Sequence, residues 1–281
     1  MRNAIALVFV LAAAGCGDDP PSGKNGVGPS GGDPNVGTGP DGGGGGGEGG
    51  GGGGDASGPQ GSSIGPTGNP NGACAAGVPA RGQLADTSKP TKVIGNGSAA
   101  SCTFAALQSA VTQGGIITFD CGPSVVTIPV MATMNLPTNK NTVIDGGGKI
   151  VLDGGDAVQI LHFESANFRA NDNGLTLQRI ALVRGKKTPA VAIPAAPAPC
   201  SQGWNDGEGG ALFMRDGYLN VVECLFTDNH AAPRGPDTGG GAIYVLGSKG
   251  GVVISKSTFR NNAASNAAAV GGLFAPLQIF D

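Results

Sequence analysis

Two stretches of the chain carry the same hydrophobic pattern. GGALFMRDGYLNVVECLFTDN runs from Gly209 to Asn229, and GGAIYVLGSKGGVVISKSTFRNN from Gly240 to Asn262. Each opens on Gly-Gly-Ala-aliphatic, passes through alternating apolar residues and closes on Phe-x-x-Asn. Phe226 and Phe259 are 33 residues apart, as are Asn229 and Asn262. Alternation puts Leu219 and Val221 on one face of a strand and Asn220 and Val222 on the other. A strand-rich unit repeating at this period predicts a stack in which each copy is one layer. Equivalent residues then lie about 4.8 Å apart. Phe226 and Phe259 fall in an interior column, and Asn229 over Asn262 forms an amide ladder at a turn. That gives these four residues a structural role and needs no chemistry.

Other copies are fainter. In LTLQRIALVRG, Leu175 matches Leu219 and Val252, Leu177 matches Val221 and Ile254, and Leu182 matches Phe226 and Phe259. The longer offset to the next copy is carried by a Pro/Ala-rich excursion over 188–207. A last copy is expected to open at Gly271-Gly272-Leu273, with Leu277 and Ile279 matching Val252 and Ile254. It stops at Asp281 without its Phe-x-x-Asn close, so the repeat domain is expected to be truncated there. Ahead of the repeats, CTFAALQSAV places Phe104, Leu107 and Val111 on one helical face, with Thr103 as N-cap and Gly114-Gly115 as the stop. Short β-rich runs follow at Ile116–Phe119, Val125–Val130, Thr142–Asp145, Lys149–Asp153, Val158–Phe163 and Gly174–Val183, with Asp-Gly corners in IDGGGKIVLDGG.

Composition divides the chain. Of 281 residues 54 are Gly, and they concentrate between Gly17 and Gly72, where Val27, Val36 and Ile64 are the only larger aliphatics. Such a segment cannot bury enough apolar surface to offset the entropy of ordering its backbone, so 16–73 reads as a disordered linker and 74–100 as an irregular lead-in to a domain over 101–281. No strict Gly-X-Y period runs through the linker, which excludes collagen. A formal net charge of −3 gives no electrostatic case for nucleic acid. At the start, Arg2 and the apolar run Ala4–Ala14 read as a secretory signal over 1–15, too short to span a bilayer.

Two resemblances sharpen this reading. Ala13-Ala14-Gly15-Cys16 resembles the lipobox of bacterial lipoproteins, which implies lipidation at Cys16 and an outer-membrane or cell-surface location, with plain secretion as the alternative. GGALF and GGAIY, with FTDN and FRNN, resemble the polymorphic outer-membrane protein repeats of the pectin-lyase-like class. That resemblance covers about Ser101 to Asp281. It implies an all-β fold, a right-handed parallel β-helix with a short N-terminal capping helix, preceded by the Gly-rich tether. Propellers and leucine-rich repeats lack their Trp-Asp or Leu-rich spacing here.

Candidate chemistry is sparse. Export permits disulfides. Cys102 and Cys121 flank the helix and its first strand and are the expected pair, with Cys74 a competing partner for either. Cys224 reads equally as a small buried residue or as a partner for Cys200. No Cys-x-x-Cys or Cys/His spacing suggests a metal, and no cofactor is expected. The resembling class includes polysaccharide lyases and hydrolases, for which Asp145, Asp153 and Asp156 with Arg179, Arg184, Lys186 and Lys187 are the candidates, yet each Asp sits beside Gly at a corner where it has a structural reason to be. Trp204, with Asp206 and Glu208, is a candidate carbohydrate contact, because an exposed indole stacks on a sugar ring. His162 and His230 read as surface or turn residues. The expected function is a surface-tethered, non-catalytic adhesion or carbohydrate-binding protein of the bacterial envelope. Its expected partners are the membrane, through a lipid anchor, and a polysaccharide or a host or neighbour cell surface. A β-helix lyase or hydrolase and a passive envelope protein are the alternatives.

Overall fold

The computed structural model describes residues 63–69, 71, 77–192, 206–235 and 238–281. The signal segment, Cys16, Cys74, Cys200 and Trp204 lie outside these. Over the described residues the chain is mostly β, with parallel sheets and one α-helix. After β1 (Lys92–Gly95) and α1 (Phe104–Gln113), it makes repeated passes. The first is β2 (Gly115–Asp120), β3 (Val126–Pro129) and β4 (Met134–Asn135). The second is β5 (Thr142–Asp153) and β6 (Leu161–Glu164), and the third β7 (Gly174–Val183) and β8 (Leu212–Arg215). The fourth is β9 (Tyr218–Val222), β10 (Leu225–Thr227) and β11 (Ile243–Leu246). The fifth is β12 (Gly251–Ser255), β13 (Thr258–Arg260) and β14 (Val270–Leu273), before β15 (Leu277–Phe280).

Each pass adds a rung to two sheets. The larger runs β1-β2-β5-β7-β9-β12-β15, with β3 on β5 and β10 between β7 and β13; the smaller runs β4-β6-β8-β11-β14. Every ladder between these strands is parallel, and neither sheet closes on itself. The register piles like on like. Thr142, Leu175, Leu219, Val252 and Leu277 share one column, and Ile144, Leu177, Val221, Ile254 and Ile279 another. Leu182, Phe226 and Phe259 share a third. Leu161, Leu212, Ile243 and Val270 face them from the smaller sheet. Most of these side chains join one continuous core, each fully buried aliphatic contributing about 1.5–3 kcal/mol of transfer free energy.

One end of the stack is covered by α1. The Thr103 side chain accepts from the Ala106 N–H at 3.3 Å, and Leu107, Ala110 and Val111 are buried in the core. Gly114, at φ 67°, ends the helix. Cys102 and Cys121 form a disulfide, Cα–Cα 5.7 Å, that ties the start of the helix to the end of β2. Cys224 is a free, buried thiol, and burial pushes it up to about 12.

The last copy differs from expectation. Gly271 pairs with Tyr244, inside β14, and so is not the counterpart of Gly240. The register instead equates Gly209 and Gly240 with Ala267, and all three have positive φ, 68°, 65° and 48°. A Cβ on Gly240 would lie 2.0 Å from the Ile243 carbonyl oxygen. In the last pass AAAV replaces GGAL and GGAI, so the turn keeps its conformation and loses its glycine signature.

The corners differ too. Arg179, Glu223 and Lys256 stack at one corner, and Arg184, Asp228 and Asn261 at the next, all at φ between 47° and 55°. Left-handed backbone costs an L-residue roughly 1–2 kcal/mol. The columns offset part of this by alternating charge, since Asp145 pairs with Arg179 and Asp153 with Arg184.

A strap over the outer face of the larger sheet was not visible in the sequence. Ile64 lies in the stretch expected to be linker, yet it is only 5% exposed, packed with Val151, Ala181, Val183 and Leu225. From there the chain reaches the far end of the stack, where Gly68 N–H donates to Thr258 Oγ1 and Asn69 N–H to the Asp281 carbonyl. It then returns. Arg81 donates to Asn220 Oδ1 and to the Leu219, Gly250 and Gly251 carbonyls, with its guanidinium 5.0 Å from the Tyr218 ring centre. Further on, Ala85 exchanges hydrogen bonds with Gln178, Thr87 Oγ1 donates to Asp145, and Thr91 N–H donates to the Ile116 carbonyl. The strap thus ties the last passes to the first and buries outward-facing Asn220, Gln178 and Ser255.

Candidate functional site

The outer face of the smaller sheet holds a cluster of polar and aromatic groups that the repeat does not need. Alternation along LHFE, LFMR and IYVL turns Leu161, Leu212 and Ile243 inward and His162, Phe213 and Tyr244 outward. Parallel register then stacks the outward three. The His162 and Phe213 rings lie 5.1 Å apart, and those of Phe213 and Tyr244 6.3 Å apart and nearly coplanar in tilt at 5°. Asn135 lies in the same column beside His162, and Glu164 pairs in register with Arg215.

At the β4 end of this face is an open cleft of about 740 Å³, lined by Asn135, Leu136, His162, Glu164, Ser165 and Arg215 among others. His162 Nε2 stands 3.2 Å from Glu164 Oε2, and His162 Nδ1 lies 2.9 Å from Gln159 Oε1. Gln159 Nε2 donates to the backbone carbonyls of Glu208 and Gly209. Arg215 donates through Nη1 to the Ser165 and Asn167 carbonyls, and its guanidinium lies 5.6 Å from the Phe168 ring centre. Phe168 and Phe274 meet edge to face at 6.1 Å and are 46% and 43% exposed. They form an exposed apolar pair that adjoins the cleft-lining Arg215 through Phe168.

Comparison of the chain with models of protein families, with curated proteins and with solved structures finds no match. The chemistry of the site therefore rests on its own geometry.

The residues singled out in the sequence are distributed as follows. Trp204 and Cys16 lie outside the described residues. Asp206 is held by Lys187 at 2.8 Å and accepts from the Ala190 N–H; burial would raise its carboxyl, but these partners hold it below its ordinary value. Glu208 departs from expectation. It is only 3% exposed, and burial, with a smaller push from Asp206, raises its carboxyl to about 7. A carboxyl this enclosed is not a surface contact for a sugar, because the turn that brings Glu208 beneath Gln159 also removes it from solvent. Asn229 donates to Asn262 Oδ1 at 3.0 Å and to the Leu182 carbonyl, accepts from the Gly185 N–H, and Asn262 donates to the Phe226 carbonyl. Phe226 and Phe259 stack at 4.9 Å, 3° from parallel.

The candidate lyase and hydrolase residues are mostly occupied. Burial would raise the Asp145 carboxyl, but Arg179, Gln178, the Gly147 N–H and Thr87 together hold it low. Its hydrogen bond in turn raises Arg179. Arg184 is raised chiefly by its hydrogen bond to Asp153. Asp156 lies 3.7 Å from His230 Nδ1. Among the described residues no group of three or more His, Cys, Asp or Glu side chains is arranged to hold a metal.

Reading the sequence missed Glu164, Arg215 and Phe168, and took His162, which lies within β6, for a surface or turn residue. The available signal was the common phase of His162, Phe213 and Tyr244 in their four-residue strands. It shows only once the inward leucines and Ile243 have fixed the register.

Proposed function

We propose that the chain is a right-handed parallel β-helix that serves as a non-catalytic, glycan-binding adhesion protein, held at the bacterial surface by a lipid on Cys16. Uniformly parallel ladders, with each pass visiting the two sheets in the same order, support a helical winding, and parallel crossovers are right-handed in about 98% of cases. The observation that carries the function is the open cleft lined by Asn135, His162, Glu164 and Arg215, with the exposed Phe168 ring against the Arg215 guanidinium. Planar polar side chains with an exposed aromatic ring close by suit a sugar, which offers hydroxyls at its edge and C–H groups on its face. The carboxylate–guanidinium pairs that could have served proton transfer are closed on each other, which favours binding over turnover.

On a glycan array the purified chain should retain a set of oligosaccharides without altering them. Release of unsaturated or shortened sugar would replace this reading with a lyase or hydrolase, and absence of both binding and turnover would leave a passive envelope protein. Labelled palmitate should enter the wild-type chain and not Cys16→Ser; label that persists in the variant sinks the anchor.

A further inference from the structure

Arg179 and Arg184 show how this stack uses a guanidinium. Each grips an Asp carboxylate side-on: Nε donates to Asp145 Oδ1 and to Asp153 Oδ1, both at 3.0 Å, and Nη2 donates to the second oxygen of the same carboxylate. Two parallel N–H groups meeting two oxygens is the geometry in which Arg best recognises a carboxylate. Arg215, on β8 in the cleft wall, presents the same edge with no acid on it. Its Nη1 donates to the Ser165 and Asn167 carbonyls, and its guanidinium lies 5.6 Å from the Phe168 ring centre. Among the described residues nothing accepts from its Nε or Nη2, and no carboxylate lies within 4.0 Å. Glu164, its register partner on β6, meets His162 Nε2 at 3.2 Å instead. The loop that carries Phe168 is fastened without Arg215 as well. Asp216 accepts from the Ala170 and Asn171 N–H groups at 2.9 and 2.8 Å, Asn171 Nδ2 donates to the Thr138 carbonyl at 2.8 Å, and Lys249 meets Asp172 at 2.6 Å. A neutral donor would serve the Ser165 and Asn167 carbonyls, so the loop does not need the positive charge.

On the footing of the glycan-binding reading, we propose that the Nε–Nη2 edge of Arg215 is the specificity-determining subsite of the cleft and takes the carboxylate of an acidic sugar, a uronic acid. The carbonyls on Nη1 and the Phe168 ring hold the guanidinium in one orientation, so little side-chain freedom is lost on binding. The exposed Phe168 ring beside it offers an apolar face to the C–H groups of the sugar. Asn135 and Ser165, which also line the cleft, are partners for hydroxyls. The Glu164 side chain, 57% exposed, opposes the charge of the ligand, so removing its charge should tighten binding.

The test titrates the purified chain with tetrasaccharides of glucose, mannose and galactose, with the matching uronic acid tetrasaccharides, which carry a carboxylate in place of the hydroxymethyl group, and with the methyl esters of those acids. At least one uronate should bind roughly ten- to a hundredfold more tightly than its neutral counterpart and its ester, the range for hydrogen bonds to a charged group. Arg215→Gln keeps a donor for the loop carbonyls and should abolish that preference while leaving the weaker binding of the neutral sugar. Glu164→Gln should raise the affinity for the uronate and leave the neutral sugar unchanged, a gain that damage to the fold does not produce. A neutral sugar or ester bound as tightly as the uronate, an Arg215→Gln chain that keeps the preference, or a Glu164→Gln chain that binds the uronate no better each overturns the subsite and leaves the glycan reading standing. No binding by any probe overturns both.

Discussion

Phe226→Ala should lower the unfolding free energy by roughly 3–5 kcal/mol, the range for deleting a buried aromatic. Phe226 is fully buried, between Leu182 on one side and Phe259 on the other. Its ring overlaps that of Phe259 at 4.9 Å, which adds about 0.5–1.5 kcal/mol beyond area alone. The void would open in the middle of a stack whose layers touch only their neighbours, so it weakens the coupling of β10 to both β7 and β13. Phe259→Ala should cost visibly less, because Phe259 is only partly buried. Urea unfolding of the two variants, followed by tryptophan-independent far-ultraviolet dichroism, checks this. Equal costs for the two would mean that the column is not graded from interior to edge, and a loss below 1 kcal/mol at Phe226 would mean that the layers do not depend on it.

The interior of the stack was legible in the sequence because stacking constrains it. Leu175, Leu219 and Val252, or Leu182, Phe226 and Phe259, must each fill the same volume one layer above the last, so they recur in type and spacing. The parallel ladders follow the same matches. The turn at Ala267 was illegible for the opposite reason. Alanine carries no signal for a left-handed turn, whereas Gly271-Gly272 imitates one from inside a strand. The corners at Arg179 and Arg184 were read as candidate chemistry and those at Glu223 and Asp228 carried no signal, because their φ depends on the bend between two strands and not on residue type. The strap was hidden more deeply. Ile64 and Arg81 sit among glycines and polar residues with no period, and their burial comes entirely from residues far along the chain, such as Val183 and Gly250. The cleft was missed because outward positions need not repeat. His162, Phe213 and Tyr244 differ in identity and share only a phase, which becomes informative once the inward residues have set the register.

Glu208 should make the protein less stable as pH rises toward neutrality, the reverse of ordinary carboxylate behaviour. Burial raises its carboxyl from 4.5 to about 7 in the folded chain. Between about pH 4.5 and 7 the folded state therefore holds a proton that the unfolded state has released. Stability falls with pH wherever the folded state binds more protons. The contribution is fully present below the unfolded value and is lost as pH passes through 7, a total of roughly 3 kcal/mol at 1.36 kcal/mol per unit. Asp145, Asp206 and Asp216 act in the other direction, since their folded values lie below the ordinary one of 3.8. Their stabilisation holds above that value and is lost in stronger acid. The two trends together put maximal stability near pH 4–5. Glu208→Gln keeps the shape of the neutral acid and removes its titration, so the variant should be nearly flat between pH 5 and 8 while the wild type declines. Urea midpoints measured for both across that range decide the matter. A parallel decline in the two proteins would show that Glu208 is charged in the fold, stabilised by a partner strong enough to overcome its burial.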